Sequence, residues 1–320
     1  MEKVDIIIVG AGVVGLAIAA QVSKQYPNKA VVLLEKWEKF GQETSGRNSE
    51  VIHAGMYYPT GSLKAKLCVH GNSLLYAYCA ANKIAHQRIG KIIITRNAKE
   101  EEAVQEIYEQ GQKNGVTGLR YLTKAEVNEM EPNIFATGAL FSENTGIISS
   151  HELMKALEWQ ATEQGAMLAY AHTVKQVEKT SGGYAVHFVN QEGEDALECE
   201  YLFNCAGLYS DMIPQQLGID IDKEGYRIYP VKGEYFSLAA GKSKMMSHLI
   251  YPPPLADLKG LGTHITKGLD GMAKLGPSAF YVNSKEDYHV DKNHLAEFYQ
   301  AGHSFLPFIN KEDLEADMAG

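Results

Sequence analysis

The sequence predicts an α/β fold, α+β over the whole chain, in which a parallel βαβ domain is interleaved with an antiparallel-sheet domain. Three observations support this prediction. A β-branched run is followed at once by a glycine-rich turn and a helical segment, the order of a βαβ unit. Short apolar runs alternate with turns in residues 223–320, as in an antiparallel sheet. The length of 320 residues, 45% of them hydrophobic, exceeds what one core usually supports and indicates two domains.

A predicted strand over Val4–Val9 opens the βαβ unit, and a helix over Leu16–Val22 follows. Between them, Gly10, Gly12 and Gly15 have the G-x-G-x-x-G spacing. In that arrangement the first glycine permits a tight turn, the second lets the backbone approach a pyrophosphate, and the third lets helix and strand pack closely. The N-terminus of the helix presents N–H groups and the positive end of its dipole to the phosphates.

A second predicted strand, Ala30–Leu34, ends at Glu35, which lies 20 residues after Gly15. An acidic residue there can accept hydrogen bonds from the ribose hydroxyls of an adenosine. All the parts of a Rossmann dinucleotide-binding unit therefore occur in register. The sequence predicts that the three glycines, Glu35 and its neighbour Lys36 bind such a cofactor. A glycine-rich turn without a ligand would not explain the acid.

The polar loop that follows indicates which dinucleotide is bound. Residues Gly41–Glu50 run directly into Val51–Gly55, and their side chains can donate hydrogen bonds to a second set of cofactor oxygens. Simple nicotinamide dehydrogenases have no such loop, which favours FAD over NAD; a solvated surface loop is the alternative. The predicted cofactor-binding residues of this loop are Thr44, Ser45, Arg47, Asn48 and Ser49.

From this loop onwards the sequence resembles the D-amino-acid-oxidase superfamily of FAD-dependent oxidoreductases, most closely its L-2-hydroxyglutarate dehydrogenase/oxidase group. The likeness covers essentially the whole chain, and its most specific blocks are Ser45–Pro59 and Gly61–Cys68. Shorter blocks agree at Lys232–Phe236, His248–Pro252 and Gly262–Thr266. The resemblance implies a Rossmann-type FAD-binding domain of the glutathione-reductase type and an antiparallel-sheet substrate domain.

The resemblance also implies how the chain is divided. It assigns residues 1–85 and 147–222 to the FAD-binding domain and residues 86–146 and 223–320 to the substrate domain. Relatives continue beyond the equivalent of Gly320 with a further strand, a glycine-rich loop and a helix. We therefore expect this chain to be C-terminally truncated, without that strand, that helix and any carboxylate-binding arginine they carry.

The remaining elements follow from their patterns. Helical spacing of apolar residues predicts helices over residues 66–82, 99–114 and 152–165, the last with Ser150 as its N-cap. Short β-branched or aromatic runs predict strands over residues 91–95, 171–177, 184–190, 200–205, 226–231, 235–238, 262–266 and 271–275. Strand 200–205 runs into a small-residue turn and a helix, so Ala206 and Gly207, together with Val174 on an earlier strand, are predicted cofactor contacts.

The resemblance implies oxidation of an L-2-hydroxy acid, 2-hydroxyglutarate first, to the 2-oxo acid by hydride transfer to flavin N5. The hydroxyl proton must leave with the hydride, and a neutral histidine is the natural base. His53 follows the cofactor loop, whereas His264 belongs to a strand expected to cover the flavin ring. We predict His264 as the base and a substrate contact, and His53 as a flavin contact and the competing base. The other predicted substrate contacts are Tyr57, Tyr58, Lys66, Lys232 and Tyr251.

Two other functions stay open at this point. An amine or amino-acid oxidase on the same fold would need no histidine base, because a free amine can react in its neutral form. A non-catalytic flavin-binding protein is the third. The formal net charge of −9 argues against a nucleic-acid partner but allows a small anionic substrate. An electron acceptor is also required: oxygen, a quinone or a carrier protein.

The cysteine spacing and the N-terminal segment indicate in which cellular compartment the protein is expected. The four cysteines form no Cys-x-x-Cys pair and no histidine cluster has zinc-ligand spacing, so neither a metal site nor a disulfide is expected. Asp5 and three glycines interrupt the apolar N-terminus, which lacks the features of a signal peptide. We expect a cytoplasmic protein without a transmembrane segment, which leaves a peripheral contact with a membrane open.

Overall fold

The computed structural model describes residues 1–254 and 263–320. They form two compact units, each assembled from separate stretches of chain. Unit 1 contains Met1–Asn48, Ser150–Pro230 and Asn283–Lys285. Unit 2 contains the described residues of Ser49–Ser149, Val231–Val282 and Glu286–Gly320.

The described strands and helices are numbered in chain order. The strands are β1 (Glu2–Val9), β2 (Val31–Leu34), β3 (Val51–Ile52), β4 (His86–Gln87), β5 (Lys91–Thr95), β6 (Leu119–Thr123), β7 (Gly138–Ser142), β8 (Gly146–Ile148), β9 (Met167–Ala169), β10 (Thr173–Thr180), β11 (Gly183–Asn190), β12 (Gly193–Asn204), β13 (Val231–Lys232), β14 (Glu234–Leu238), β15 (Leu249–Tyr251), β16 (His264–Lys267), β17 (Ala273–Gly276), β18 (Phe280–Tyr281) and β19 (Leu314–Ala319). The helices are α1 (Val13–Gln25), α2 (Leu63–Asn82), α3 (Ala98–Lys113), α4 (Lys124–Met130), α5 (Ser150–Glu163), α6 (Met212–Gln216), α7 (Ala240–Ser243) and α8 (Leu295–His303).

Unit 1 is built on a six-stranded sheet with the order β10-β11-β12-β1-β2-β9. The four strands β12, β1, β2 and β9 pair in parallel, while β10, β11 and β12 form an antiparallel meander. The last four residues of β1 are buried, as expected for a strand covered on both faces. Because parallel strands end at the same edge, the turns after β1, β2 and β12 lie together.

Unit 2 is built on an eight-stranded sheet with the order β19-β14-β17-β16-β15-β5-β7-β6. Its strand pairs are antiparallel, except that β5 and β15 pair in parallel. One buried core on this sheet includes Ile250, Phe236, Leu275, Phe298 and Phe305. The predicted α/β fold with an interleaved antiparallel-sheet domain is thereby confirmed.

The largest difference between the units and the predicted domains concerns residues 49–85; the short stretches 147–149, 223–230 and 283–285 also lie in the other unit. Residues 49–85 lie in unit 2, whereas the sequence-based division placed them with the FAD-binding domain. The physical reason is strand pairing: β3 and β4 pair with opposite edges of β8, which belongs to the same unit. Because compact units are defined by contacts and domains by their role, the functional division stays a prediction.

Several predicted elements end elsewhere. α2 begins at Leu63 because the Ser62 hydroxyl accepts a hydrogen bond from the Ala65 amide and caps the helix. Ser150 is the first residue of α5 and not its N-cap. The predicted strand over residues 226–231 is wrong except at its last residue, and the Ile228 amide is bonded to the Asp211 carboxylate. For the predicted strand 262–266, Gly262 lies outside the described residues.

None of the helices within residues 1–254 and 263–320 combines the length and the apolarity needed to cross a membrane.

Candidate functional site

The glycine turn of unit 1 is closely packed against backbone. Gly10 has φ +104°, and a Cβ atom there would lie 2.4 Å from the Cys205 carbonyl oxygen. A Cβ at Gly15 would lie 1.9 Å from the Gly10 carbonyl oxygen. Gly12 differs, because its φ of −75° and ψ of 176° suit any residue and a Cβ would meet the Ser45 hydroxyl at 3.0 Å. Gly10 and Gly15 are thus required by the fold, whereas the backbone at Gly12 would accept other residues.

Backbone amides at the start of α1 donate hydrogen bonds to the side chain of Glu35, at the end of β2, and to that of Ser45, in the polar loop that follows. The Val13 amide donates to Ser45 Oγ at 3.0 Å. The Ala11 amide donates to Glu35 Oε2 at 2.7 Å, and the Trp37 amide donates to Glu35 Oε1 at 2.9 Å. The buried carboxylate of Glu35 therefore joins the end of β2 to the glycine turn. Its contact with a ribose stays a prediction.

The rest of the cofactor loop is ordered by its own hydrogen bonds. The side-chain amide nitrogen of Asn48, Nδ2, donates to the carbonyl oxygens of Ser45 and Thr44, at 2.8 and 3.2 Å. Arg47 Nε donates to the Gln42 carbonyl. Lys36 Nζ lies 2.7 Å from Glu43 Oε1, so this lysine belongs to an ion pair.

The turn after β12 lies beside the glycine turn, which leaves the predicted cofactor contacts of Ala206 and Gly207 as predictions. A Cβ built on Gly10 would approach Ala206 Cα at 3.3 Å, and the Cys205 amide donates to the Val9 carbonyl at 2.9 Å. Gly207 has φ +56° and opens a 3₁₀ turn. Val174 packs among the core residues around Val9. Unit 1 thus combines a helix N-terminus, a glycine whose Cβ would fill the adjacent space, and a buried acid, all of which suit the adenosine diphosphate half of FAD.

In unit 2, the remaining predicted residues lie on either side of β3, on α2, on β13 of the two-stranded sheet β13-β18, and on β15 and β16 of the large sheet. Ser49 is hydrogen-bonded to Tyr235. His53 is half-buried; burial, followed by the positive charges of Lys91 and Lys64, lowers its pKa to about 3. His53 is therefore neutral at physiological pH and is able to accept a hydrogen bond or a proton.

Four side chains of unit 2 form what we term the Tyr–Lys–His cluster: Tyr57, Lys91, Tyr251 and His264. Lys91 Nζ lies 4.6 Å from the ring centroid of Tyr57 and 4.5 Å from that of Tyr251. The Tyr251 and His264 rings stack with their centroids 3.7 Å apart and an interplanar angle of 19°. Strand pairing brings Lys91, Tyr251 and His264 together, because Ile250 on β15 pairs with Ile265 on β16 and Lys91 on β5 pairs with Leu249 on β15.

Burial controls the charge of this cluster. Lys91 is completely buried, and Tyr251 and His264 are each 2% exposed. Burial lowers the pKa of Lys91 to about 7. It raises the pKa of Tyr57 and of Tyr251; the neighbouring Tyr58 raises the pKa of Tyr57 further, and the Tyr57 hydroxyl raises that of Tyr251 further. Both phenols therefore keep their protons at neutral pH and can donate hydrogen bonds.

The structure brings some predicted substrate residues together and separates others. Tyr57, Tyr251 and His264 form the cluster, and Tyr58 is close enough to raise the pKa of Tyr251. Lys66 is exposed on α2. Lys232 Nζ lies 3.1 Å from Asp287 Oδ2, 2.8 Å from the His289 carbonyl and 3.3 Å from Glu234 Oε1. A substrate role for Lys232 stays a prediction and would require it to exchange those partners.

Sequence reasoning missed Lys91. The available signal was a lysine directly before Ile92–Ile94, a run that reads as a strand buried on both faces, where a lysine is unusual unless paired.

Within residues 1–254 and 263–320, all four cysteines are free. No group of three or more histidine, cysteine, aspartate or glutamate side chains in that part of the chain could hold a metal ion.

Comparison with known proteins identifies a family. Residues 5–320 match the model of the DAO family, described as FAD dependent oxidoreductase. The chain is 34% identical over 299 residues to the mitochondrial L-2-hydroxyglutarate dehydrogenase of Nematostella vectensis, covering 90% of this chain and 65% of the relative. It is 35% identical to the human mitochondrial L-2-hydroxyglutarate dehydrogenase, and that match covers 89% of this chain and 62% of the relative. It is 34% identical to the L-2-hydroxyglutarate dehydrogenase of Escherichia coli K12, and that match covers 89% of this chain and 66% of the relative. The chain therefore spans somewhat less than two thirds of these relatives.

Solved structures share the fold. L-α-glycerophosphate oxidase from Mycoplasma pneumoniae, described with FAD bound, superposes with a TM-score of 0.88 at 24% identity, covering 100% of this chain and 83% of that one. Glycine oxidase from Geobacillus kaustophilus superposes with a TM-score of 0.81 at 21% identity, covering 100% of this chain and 82% of that one. At these identities the likeness concerns the fold alone.

Proposed function

The chain belongs to the DAO family of FAD-dependent oxidoreductases, and from this premise we propose that it oxidises L-2-hydroxyglutarate, or a closely similar L-2-hydroxy acid, to the 2-oxo acid. The observation that carries the proposal is the 32–35% identity to L-2-hydroxyglutarate dehydrogenases over 89% or more of this chain. The structural neighbours named for other substrates are 24% identical or less. The cofactor of the family is FAD.

The residues of unit 1 have a binding role in this proposal. Gly12 leaves room for the pyrophosphate, and the N–H groups at the start of α1 supply donors for it. Ser45 now accepts the hydrogen bond of the Val13 amide, so a bound phosphate would take over that donor while the serine hydroxyl donates to it. Glu35, placed at the end of β2, would accept from the ribose hydroxyls.

The residues of unit 2 would bind the substrate and remove its proton. The chemistry supplied by bound FAD is acceptance of a hydride at flavin N5. His264 would take the hydroxyl proton, because an imidazole is the usual base near neutral pH and its stacking on Tyr251 fixes the plane of its ring. His53, kept neutral by burial and by neighbouring cations, would accept a hydrogen bond from the flavin or, as the competing assignment, the proton itself.

Anaerobic bleaching of the flavin absorbance tests the proposal. The FAD-loaded protein is mixed with L-2-hydroxyglutarate, its D enantiomer, L-lactate, glycine, sarcosine and L-proline. We expect L-2-hydroxyglutarate to bleach the flavin fastest and the amines not at all. Bleaching by an amine without bleaching by any 2-hydroxy acid would assign the chain to the amine oxidases. Bleaching by none of them would leave a non-catalytic flavin-binding protein.

The electron acceptor and the location are part of the same proposal. Reoxidation of the bleached protein by oxygen, by a soluble quinone or by neither would separate an oxidase from a dehydrogenase. We propose a cytoplasmic setting, which fractionation of cells that express the tagged protein would test.

A further inference from the structure

Three buried hydrogen-bond donors of unit 2 have no partner in residues 1–254 and 263–320: Lys91 Nζ, the Tyr57 hydroxyl and the Tyr251 hydroxyl. Each of these atoms is shielded from solvent. Buried polar groups are nearly always hydrogen-bonded in native proteins, and one without a partner costs about 1–3 kcal/mol. The presence of three such groups, one lysine ammonium and the hydroxyls of the two tyrosines whose rings it contacts, is therefore a sign of a ligand.

The three groups share one chemical character. An ammonium donates and never accepts, and a phenol hydroxyl can donate to any acceptor placed before it. The electrostatic influence of Tyr57 on the pKa of Tyr251 and the contacts of both rings with Lys91 place the three groups close together. The group that satisfies all three donors is an acceptor with several lone pairs and a negative charge, such as a carboxylate.

The surroundings of Lys91 lack a counter-charge. The titratable groups that interact with it are His53 and Tyr57 after β3, Cys68 on α2 and Tyr251 on β15. None is a carboxylate, and Lys91 forms no ion pair within the described ranges 1–254 and 263–320. By contrast, Lys232 lies against two carboxylates and a carbonyl oxygen. A buried lysine without a counter-ion is a costly arrangement that a bound anion would relieve.

We infer that Lys91 and the hydroxyls of Tyr57 and Tyr251 bind a carboxylate group of the substrate. This inference rests on the proposed function, since it names the groups that would hold an acidic substrate. Tyr57 is the most exposed of the three residues, so entry of the carboxylate involves a change of its side-chain position, which is a common adjustment on binding. The bound carboxylate would lie beside Tyr251, whose ring stacks on the proposed base His264.

Calorimetric titration of the FAD-loaded protein with glutarate tests the inference without requiring turnover. Glutarate has two carboxylates and no hydroxyl to oxidise; pentane-1,5-diol, of the same length without charge, is the control ligand. We expect Lys91→Met to weaken glutarate binding by roughly 10- to 100-fold, the loss expected for a charge-assisted hydrogen bond. Lys64→Met removes an exposed positive charge nearby and should bind glutarate like the wild type.

Two further measurements distinguish a ligand-binding role from a structural one. Tyr57→Phe removes only the unpartnered hydroxyl and should weaken glutarate binding by roughly 2- to 10-fold even if Lys91→Met does not fold. Glutarate affinity of the wild type should fall as the pH rises above about 7, where Lys91 loses its proton. Lys91→Met should lack that decline.

The outcomes separate this inference from the proposed function. If L-2-hydroxyglutarate bleaches the flavin but glutarate binds equally to wild type, Lys91→Met and Tyr57→Phe, the carboxylate site is wrong and the function stands. If no 2-hydroxy acid bleaches the flavin but glutarate binding depends on Lys91 and Tyr57, the site stands and the function is wrong. Equal binding of pentane-1,5-diol would show that the cluster recognises no charge and would overturn the inference.

Discussion

At the scale of single residues, the three glycines of the N-terminal turn have different reasons to be glycine. Gly10 and Gly15 face backbone at distances that no Cβ atom could occupy, whereas Gly12 faces only the Ser45 hydroxyl. Sequence spacing identifies all three but does not separate the glycines that the fold needs from the one that a ligand needs. The structure shows that the fold requires glycine at positions 10 and 15 but not at position 12, so a substitution at Gly12 tests the proposed cofactor contact with little effect on folding.

We predict that Gly12→Val folds and melts near the wild-type temperature but is purified without FAD. The branched side chain would occupy the space proposed for the pyrophosphate, while the extended backbone of Gly12 tolerates valine. Absorbance of the flavin and circular dichroism measure the two properties. Gly71→Ala, in open space on α2, is the control and should retain FAD. Stoichiometric FAD in Gly12→Val would contradict the assignment of the cradle.

His264→Ala is predicted to keep the flavin spectrum and to slow flavin reduction by L-2-hydroxyglutarate by on the order of 10²–10⁴-fold, the usual effect of removing a general base. His70→Ala, which removes an exposed histidine on α2, should reduce at the wild-type rate. Reduction by the wild type should slow at low pH as the base becomes protonated, and His264→Ala should lose that dependence. Near-normal reduction by His264→Ala would rule out this base.

The pH profile also discriminates between the two histidines. With a pKa of about 3, His53 stays neutral throughout the range from pH 5 to 8. A loss of rate within that range therefore cannot come from protonation of His53. A rate that stays constant down to about pH 4 would favour His53 as the base.

Lys91 should also make stability depend on pH. Its folded-state pKa of about 7 lies below the ordinary 10.5, so between these values the unfolded chain binds more protons and wild-type stability rises with pH. Lys91→Met lacks this contribution. Relative to the wild type, its free energy of unfolding should therefore fall by up to roughly 5 kcal/mol as the pH rises from about 7 to 10.5. Denaturant titrations at several pH values measure this difference, and a constant difference would contradict burial of a titrating amine.

At the scale of elements, the sequence predicts strands and helices well where one pattern dominates. The β-branched run of β5 is found over Lys91–Thr95, as predicted, because its five residues are all buried. The predicted strand over residues 226–231 fails because its tyrosines, Tyr226 and Tyr229, are exposed and a side chain satisfies the Ile228 amide. β propensity describes a half-buried pleated surface, and that surface is absent from this stretch.

The residues of the candidate site were also predictable only where one sequence pattern contains them. Gly10, Gly12, Gly15 and Glu35 are close in sequence and follow one spacing rule, so a motif finds them. Lys91 joins Tyr251 through the pairing of β5 with β15, and a single sequence does not reveal which strands pair. The lysine therefore escaped notice although each of its tyrosine neighbours was predicted.

Helix α4 carries a capping box that can be tested by itself. The Thr123 hydroxyl accepts from the Glu126 amide at 3.3 Å, and the Glu126 carboxylate accepts from the Thr123 amide at 2.7 Å. Thr123→Ala should lower the free energy of unfolding by about 1 kcal/mol, measured by denaturant titration followed by far-ultraviolet circular dichroism. Thr123→Ser preserves the hydroxyl and should lose much less; equal losses in both variants would show that the cap is not the cause.

At the scale of the whole molecule, both tryptophans, Trp37 and Trp159, lie in unit 1. Tryptophan fluorescence therefore reports the unfolding of the unit that contains the proposed cofactor cradle. Excess FAD should shift the denaturant midpoint seen by tryptophan, by an amount equivalent to about 2.7 kcal/mol when FAD is present at 100 times its Kd. Gly12→Val should show no shift. A shift of equal size in that variant would place FAD elsewhere.

The pairing of β1 with β12 has a consequence for how the chain is made. Glu2 pairs with Leu197 and Val9 with Asn204, so β1 is synthesised well before its partner strand and has to wait for it. At roughly 5–20 residues per second, that delay is on the order of 10–40 seconds. During this delay β1 can pair with β2 at one edge. Its other edge, which later pairs with β12, stays open to other nascent chains. The order of synthesis thus leaves this edge of β1 open to non-native strand pairing until residues 197–204 have been made.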